Sequence, residues 1–136
     1  MLKQKTSPET EFSNGITVTT VGEETNDENS AFTSLSASLA EIRKLKGVTG
    51  YILRSSTSAI IDLEDSDKIF QYAILTSEIQ EFSAEMAKQF NLGPPESVLI
   101  EGENIKLICL SKYENRIDVF MEKSANHVSI IKRILL

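Results

Sequence analysis

The stretch Pro94–Leu110, PPESVLIEGENIKLICL, decides how this chain folds. It reads as two apolar strands joined at Gly102-Glu103-Asn104, and the first, SVLIE, holds no Lys, Pro or bulge glycine. Left at the edge of a sheet, such a strand is a template for pairing with another chain. It is therefore either central in its sheet or built to pair outside its own chain. The second strand is easier to place. Ile105, Leu107 and Cys109 point one way, Ile108 and Leu110 the other, so both faces are apolar and the strand sits in the middle of a sheet covered on both sides.

The pattern extends in both directions. Downstream, RIDVFMEK sends Ile117, Val119 and Met121 to one face and Asp118 and Phe120 to the other, which makes a further strand. A last helix, capped by Ser124 or Asn126, is expected to turn Val128, Ile131 and Leu135 inward. Upstream, Gly93, Pro94 and Pro95 end a long helix that runs from about Asp67 to Leu92 behind the acidic start EDSDK. At 100° per residue, Tyr72, Leu75, Ile79, Phe82, Met86 and Phe90 form a bulky stripe on it. Beside that lies a stripe of small groups, Ala73, Thr76, Ser83, Ala84 and Ala87, and Glu78, Glu81, Glu85 and Lys88 take the other side. The two arcs together span roughly 200°, more than one sheet requires. The expectation is that the bulky stripe covers the sheet and the small stripe admits a second helix.

Further upstream, VTGYILR and SAIIDL are strands around the turn SSTS. Phe32, Leu35, Leu39 and Ile42 lie on one face of a first helix that starts at Ser30 and stops at Gly47. Residues 1–30 differ in character. They are rich in Thr, Ser, Asn and Glu, carry two lysines against six acidic residues, and read as a mostly disordered acidic tail ahead of a domain at 31–136. Within the tail only GITVTTV has the composition of a strand able to pair with an edge.

Composition bounds the function. The 136 residues make one domain with room for one core. The net charge of −6 argues against a nucleic-acid or anionic-membrane surface, which needs clustered Lys and Arg. No apolar run is long enough to span a bilayer, and the first residues lack the apolar core of a secretory signal. A single cysteine forms no internal disulfide. A cytoplasmic protein is expected.

The order α-ββ-α-βββ-α resembles the roadblock (dynein light-chain) family from about Phe32 to Leu136. The residues that carry the likeness are LKGVTGYIL, FNLGPPESVLIEGENIKL and SANHVSIIKRIL. The chain departs from the family pattern after its first domain strand, where RSSTS stands in place of an Asp-Gly hairpin turn. The resemblance implies an α+β fold: a five-stranded antiparallel sheet with the long helix on one face and the two terminal helices on the other. It implies a dimer, with itself or a second roadblock-like chain, in which Ser97, Val98, Leu99, Ile100 and Glu101 pair with their copies. The long helices would then lie side by side through Ala73, Thr76, Ser83, Ala84 and Ala87. It further implies a platform for a Ras-like small GTPase, or a structural subunit of a motor or signalling assembly.

Catalytic chemistry is hard to find. Asp62, Glu64, Asp65 and Asp67 lack the Gly and distal Glu of a calcium loop and read as acids placed at the start of a helix dipole. His127 is the only histidine and has no ligand-spaced cysteine. Cys109 on an apolar strand face is an inert thiol. No phosphate loop or dinucleotide fingerprint occurs. No enzyme, cofactor or metal is expected. A small-ligand sensor with a pocket between sheet and helix is the third alternative, weakened by inward positions that are nearly all aliphatic or aromatic. Phe70 and Ile74, spaced i and i+4 on the charged side of the long helix, are the candidate docking pair for a partner.

Overall fold

The computed structural model describes residues 15–19 and 26–136. Its elements are β1 (Gly15–Thr19), α1 (Asn26–Arg43), β2 (Val48–Arg54), β3 (Ser58–Leu63), a 3-10 turn at Ser66–Lys68, α2 (Ile69–Gln89), β4 (Ser97–Glu101), β5 (Ile105–Lys112), β6 (Asn115–Glu122) and α3 (His127–Leu135). Every strand pairing is antiparallel, in the order β1-β3-β2-β6-β5-β4. The five strands expected between β2 and β6 form the sheet, and Gly15–Thr19 adds a sixth beside β3.

The alternation along β5 and β6 sorts the side chains into two cores, one on each face of the sheet. On the first face, α1 and α3 pack Leu35, Leu39, Ile42, Ile130 and Ile134 against Tyr51, Leu53, Ile108, Leu110, Ile117, Val119 and Met121. Each fully buried aliphatic side chain here contributes about 1.5–3 kcal/mol. On the second face, α2 covers a smaller cluster of Ile52, Leu63, Leu107, Cys109 and Phe120. The long helix thus lies opposite the two terminal helices.

Two glycines permit the path of β2. Gly47, at φ 89°, turns the chain out of α1, and its carbonyl accepts from Glu122 N at 2.7 Å. Gly50 lies so close to β3 that a Cβ there would meet the Asp62 carbonyl oxygen at 2.5 Å. The β5–β6 hairpin turns on Tyr113 and Glu114, both at positive φ (51° and 63°), the type I′ geometry that Asn-Gly usually supplies. In the SSTS turn, Ser55 Oγ accepts from both Thr57 N and Ser58 N, so a serine side chain does the work of the missing Asp-Gly.

Three expectations shift. The first helix begins at Asn26, four residues before Ser30. In α3, Asn126 is the cap, its Oδ1 accepting from Ser129 N at 3.1 Å. That cap turns Ile130 and Ile134 inward, with Ile131 half-buried, while Val128 and Leu135 stay exposed. The acidic run does not enter the first turn of α2. Asp65 caps the 3-10 turn through Asp67 N, and Asp62 pairs with Arg43 at 3.4 Å.

The reading of residues 1–30 as a disordered tail falls mostly outside the described residues. Within them, Gly15–Thr19 is a strand and 26–30 is helical. Deleting residues 1–25 is expected to leave both cores standing, with a fall in melting temperature below about 10 °C. It would also bare the β3 edge, with Ile60 and Ile61, so self-association should rise. Thermal circular dichroism with light scattering checks both; a larger fall would mean that the N-terminal segment contributes to a core.

Candidate interaction surface

The surface is built from the way α2 sits on its sheet. The α2-facing positions of β2 and β6 include two charged residues, Arg54 and Asp118, among Ile52 and Phe120. Asp118 is 0 % exposed. Arg54 Nη2 donates to Asp118 Oδ2 at 3.2 Å and to Thr76 Oγ1 at 2.5 Å, while Nη1 donates to Ser77 Oγ at 2.7 Å. Gln80 Nε2 donates to Asp118 Oδ1 at 3.4 Å, and Arg116 Nε donates to Gln80 Oε1. A buried charge must be paired and hydrogen-bonded, so the helix brings short hydroxyl and amide side chains to it.

That requirement reverses the expected roles of the two stripes. Of the small stripe, Thr76 is fully buried and Ala87 is 6 % exposed, with Ala73 and Ser83 half-buried; only Ala84 is exposed. Thr76, held in the polar clamp, and Ala87 are both covered by their own chain and so cannot meet a second helix. Of the bulky stripe, only Tyr72 and Ile79 pack inward, Tyr72 stacking on Phe120 with ring centroids 4.7 Å apart. Leu75, Phe82, Met86 and Phe90 face out, Phe82 being 68 % exposed.

The bulky stripe also has a defined side. Ala73 and Ser77 reach Arg54 on β2, so the opposite flank of α2, which carries Leu75, Phe82 and Met86, faces along the order β2-β6-β5-β4 toward the β4 edge. Ile79 and Val98 pack onto the same cluster at that edge. Among the described residues β4 pairs with β5 alone. Gly102 N donates to Ile105 O across the turn, and antiparallel bonding alternates, so the backbone groups of Ser97, Leu99 and Glu101 point away from β5. Leu99 and Ile100 are each 40 % exposed. An open strand edge and an apolar helix flank thus lie side by side. Phe70 and Ile74, on the outward face of α2, are both exposed.

The remaining candidates hold no reactive geometry. The Cys109 thiol is pushed well above its ordinary range, first by burial and then by the Asp118 carboxylate beside it. Tyr51 is pushed up to about 12, first by burial and then by Asp62. Both groups stay protonated in the fold while the unfolded chain releases their protons, so stability should fall from about pH 9 upward until pH passes the folded values. Alkaline denaturation curves check this. A thiol reagent at neutral pH should label Cys109 only after urea unfolds the chain; rapid labelling of the native protein would contradict the burial argument.

His127 lies in the first turn of α3, its Nδ1 3.0 Å from the buried Lys106 ammonium, which donates to Ala125 O at 2.5 Å. No group of three or more His, Cys, Asp or Glu placed to hold a metal ion occurs among the described residues. Among them, no helix is long and apolar enough to cross a membrane. A cleft of about 210 Å³ over Leu63, Tyr72, Ile105 and Phe120 falls short of the roughly 300–1,000 Å³ of small-molecule sites.

No protein-family profile matches the chain, and no curated protein does. Its structure is similar to the crystal structure of a Roadblock/LC7 domain from Streptomyces avermitilis, with a TM-score of 0.59 and 15% identity over 77% of this chain and 86% of that one. The fold is roadblock-like.

Proposed function

We propose that this roadblock-like chain is a non-catalytic interaction module that works as a symmetric dimer, joined through β4 and the Leu75–Phe82–Met86 flank of α2. The observation that supports it is the adjacency of that exposed apolar flank to an open strand edge. Pairing two β4 edges about a two-fold axis satisfies their outward backbone groups and brings the two flanks together in one closed contact, without building fibres. Of the interface residues expected from the sequence, Ser97, Val98, Leu99, Ile100 and Glu101 are kept in this proposal, while Ala84, two turns on from Ser77, lies on the opposite flank of α2. Sedimentation of the full chain at tens of micromolar tests it; a monomer there would overturn the dimer.

The partner class follows from the family resemblance. The paired α2 helices would present Phe70 and Ile74 to a Ras-like small GTPase, acting by contact, since no Arg on that face stands out as a catalytic finger. A structural role in a larger assembly is the competing reading. Titrating the dimer with GDP- and GTP-analogue-loaded Ras-like GTPase from the same organism separates them, because the structural reading predicts no nucleotide-dependent binding. A reducing, cytoplasmic setting suits the buried free thiol.

A further inference from the structure

The outward face of α2 carries one row of side chains along its length. Phe70 and Ile74 come first, Glu78, Glu81 and Glu85 follow, and Lys88 closes the row. Phe70 is 82 % exposed and Ile74 59 %. All three glutamates are exposed, and none takes part in an ion pair among the described residues. Glu81 and Glu85 stand at i and i+4, Glu78 and Glu81 at i and i+3, spacings at which like charges destabilise a helix. A helix face that served only to meet water would interleave signs and would not hold two large apolar groups at its start. The face is unsatisfied in two respects at once, apolar at one end and acidic along its middle, with one cation, Lys88, against three glutamates.

We infer that this row docks a helical segment of another protein bearing two apolar anchors at one end and Lys or Arg one to three turns further on. The inference deepens the docking role of Phe70 and Ile74 and rests on it. Charge complementarity selects the occupant. A second copy of this chain would bring the same acidic row to the contact, and the chain as a whole carries −6, so self-association here is repulsive. The dimer contact lies on a different flank, which leaves this row free in both subunits. At 1.5 Å per residue, Glu78 to Glu85 lie about 6–16 Å beyond Ile74 along the helix, which sets where the partner's cations must fall.

The test uses the full chain and three synthetic helical peptides. One carries two Leu at i and i+4 followed by three Lys, one replaces the Lys by Glu, and one replaces the Leu by Ala. Fluorescence anisotropy should show the Leu/Lys peptide binding at least about tenfold tighter than its Glu counterpart, with the preference shrinking at high salt. Phe70→Ala with Ile74→Ala should weaken the Leu/Lys peptide about tenfold, and Glu78→Lys/Glu81→Lys/Glu85→Lys should invert the charge preference. All five side chains are exposed, and circular dichroism with sedimentation confirms that fold and assembly are retained. Binding lost with Phe70 and Ile74 but without charge preference would overturn the basic partner while keeping the docking pair. A charge preference indifferent to Phe70 and Ile74 would overturn the docking pair itself. No binding by any peptide, or self-association of the wild type through this row, would overturn the inference.

Discussion

Asp118→Ala is expected to destabilise the protein by about 3–5 kcal/mol, because it leaves a buried guanidinium without its counter-charge. The Arg54 side chain is 19% exposed, and its Nε already has no hydrogen-bond partner among the described residues. The clamp has no spare acceptor to offer. Out of a typical total of about 5–15 kcal/mol, such a loss is a large fraction. Arg54→Met combined with Asp118→Leu should cost far less than Asp118→Ala alone, since removing both charges ends the desolvation penalty. Urea denaturation of the wild type, Arg54→Met, Asp118→Leu and the double variant gives the coupling directly, with Asp118→Ala measured beside them. A loss below about 1 kcal/mol for Asp118→Ala would mean that the clamp is solvated and does not hold α2.

Phe82→Glu with Met86→Lys is expected to convert the proposed dimer to monomer without unfolding it. Both side chains are exposed within one chain, so the fold has little stake in them, while the dimer would bury both. Leu99→Pro attacks the same contact through the backbone. The Leu99 N–H points away from β5, so proline removes a donor from the outer ladder and leaves the inner pairing standing. Ala87→Arg is the contrasting substitution. Ala87 is buried within one chain, so arginine there should lower the melting temperature and not act selectively on assembly. Sedimentation and thermal melts of the three variants separate the cases. Unfolding of the Phe82/Met86 variant, or an unchanged sedimentation profile, would place the interface elsewhere.

Much of this architecture could be read before any coordinates. β2, β3 and β4 end where the residue pattern ends them, because turn chemistry punctuates the chain: Gly47 before β2, the serines at 55–58, and Gly93 with two prolines before β4. The two-faced alternation of β5 and β6 was legible for the same reason, since period-two patterning reports burial directly. The orientation of α2 was not. Its wheel holds a bulky stripe and a small stripe side by side, and hydrophobicity alone puts the bulky one inside. The deciding signal lay on the strands. Arg54 follows Ile52 by two positions and Asp118 and Arg116 precede Phe120 by two and four, so the sheet face meeting α2 carries charges, which Thr76, Ser77, Gln80 and the Ala73 carbonyl satisfy. A pattern read one element at a time misses a requirement that one element imposes on another. The same limit hid Lys106, a buried cation on β5, whose acceptors lie far along the chain at Ala125 and His127. Tyr113 and Glu114 misled in a simpler way, because neither residue advertises a left-handed turn.

The sheet order sets a distance. With β1 at one edge and β4 at the other, joining two chains through β4 makes a single twelve-stranded ribbon whose outermost members are the two β1 strands. At about 4.8 Å between neighbours, their separation is roughly 50 Å, shortened somewhat by twist. Whatever is tethered upstream of Gly15 in each subunit then leaves from opposite ends of the ribbon. The proposed dimer would thus set the spacing between its two N-terminal strands through the width of the sheet alone.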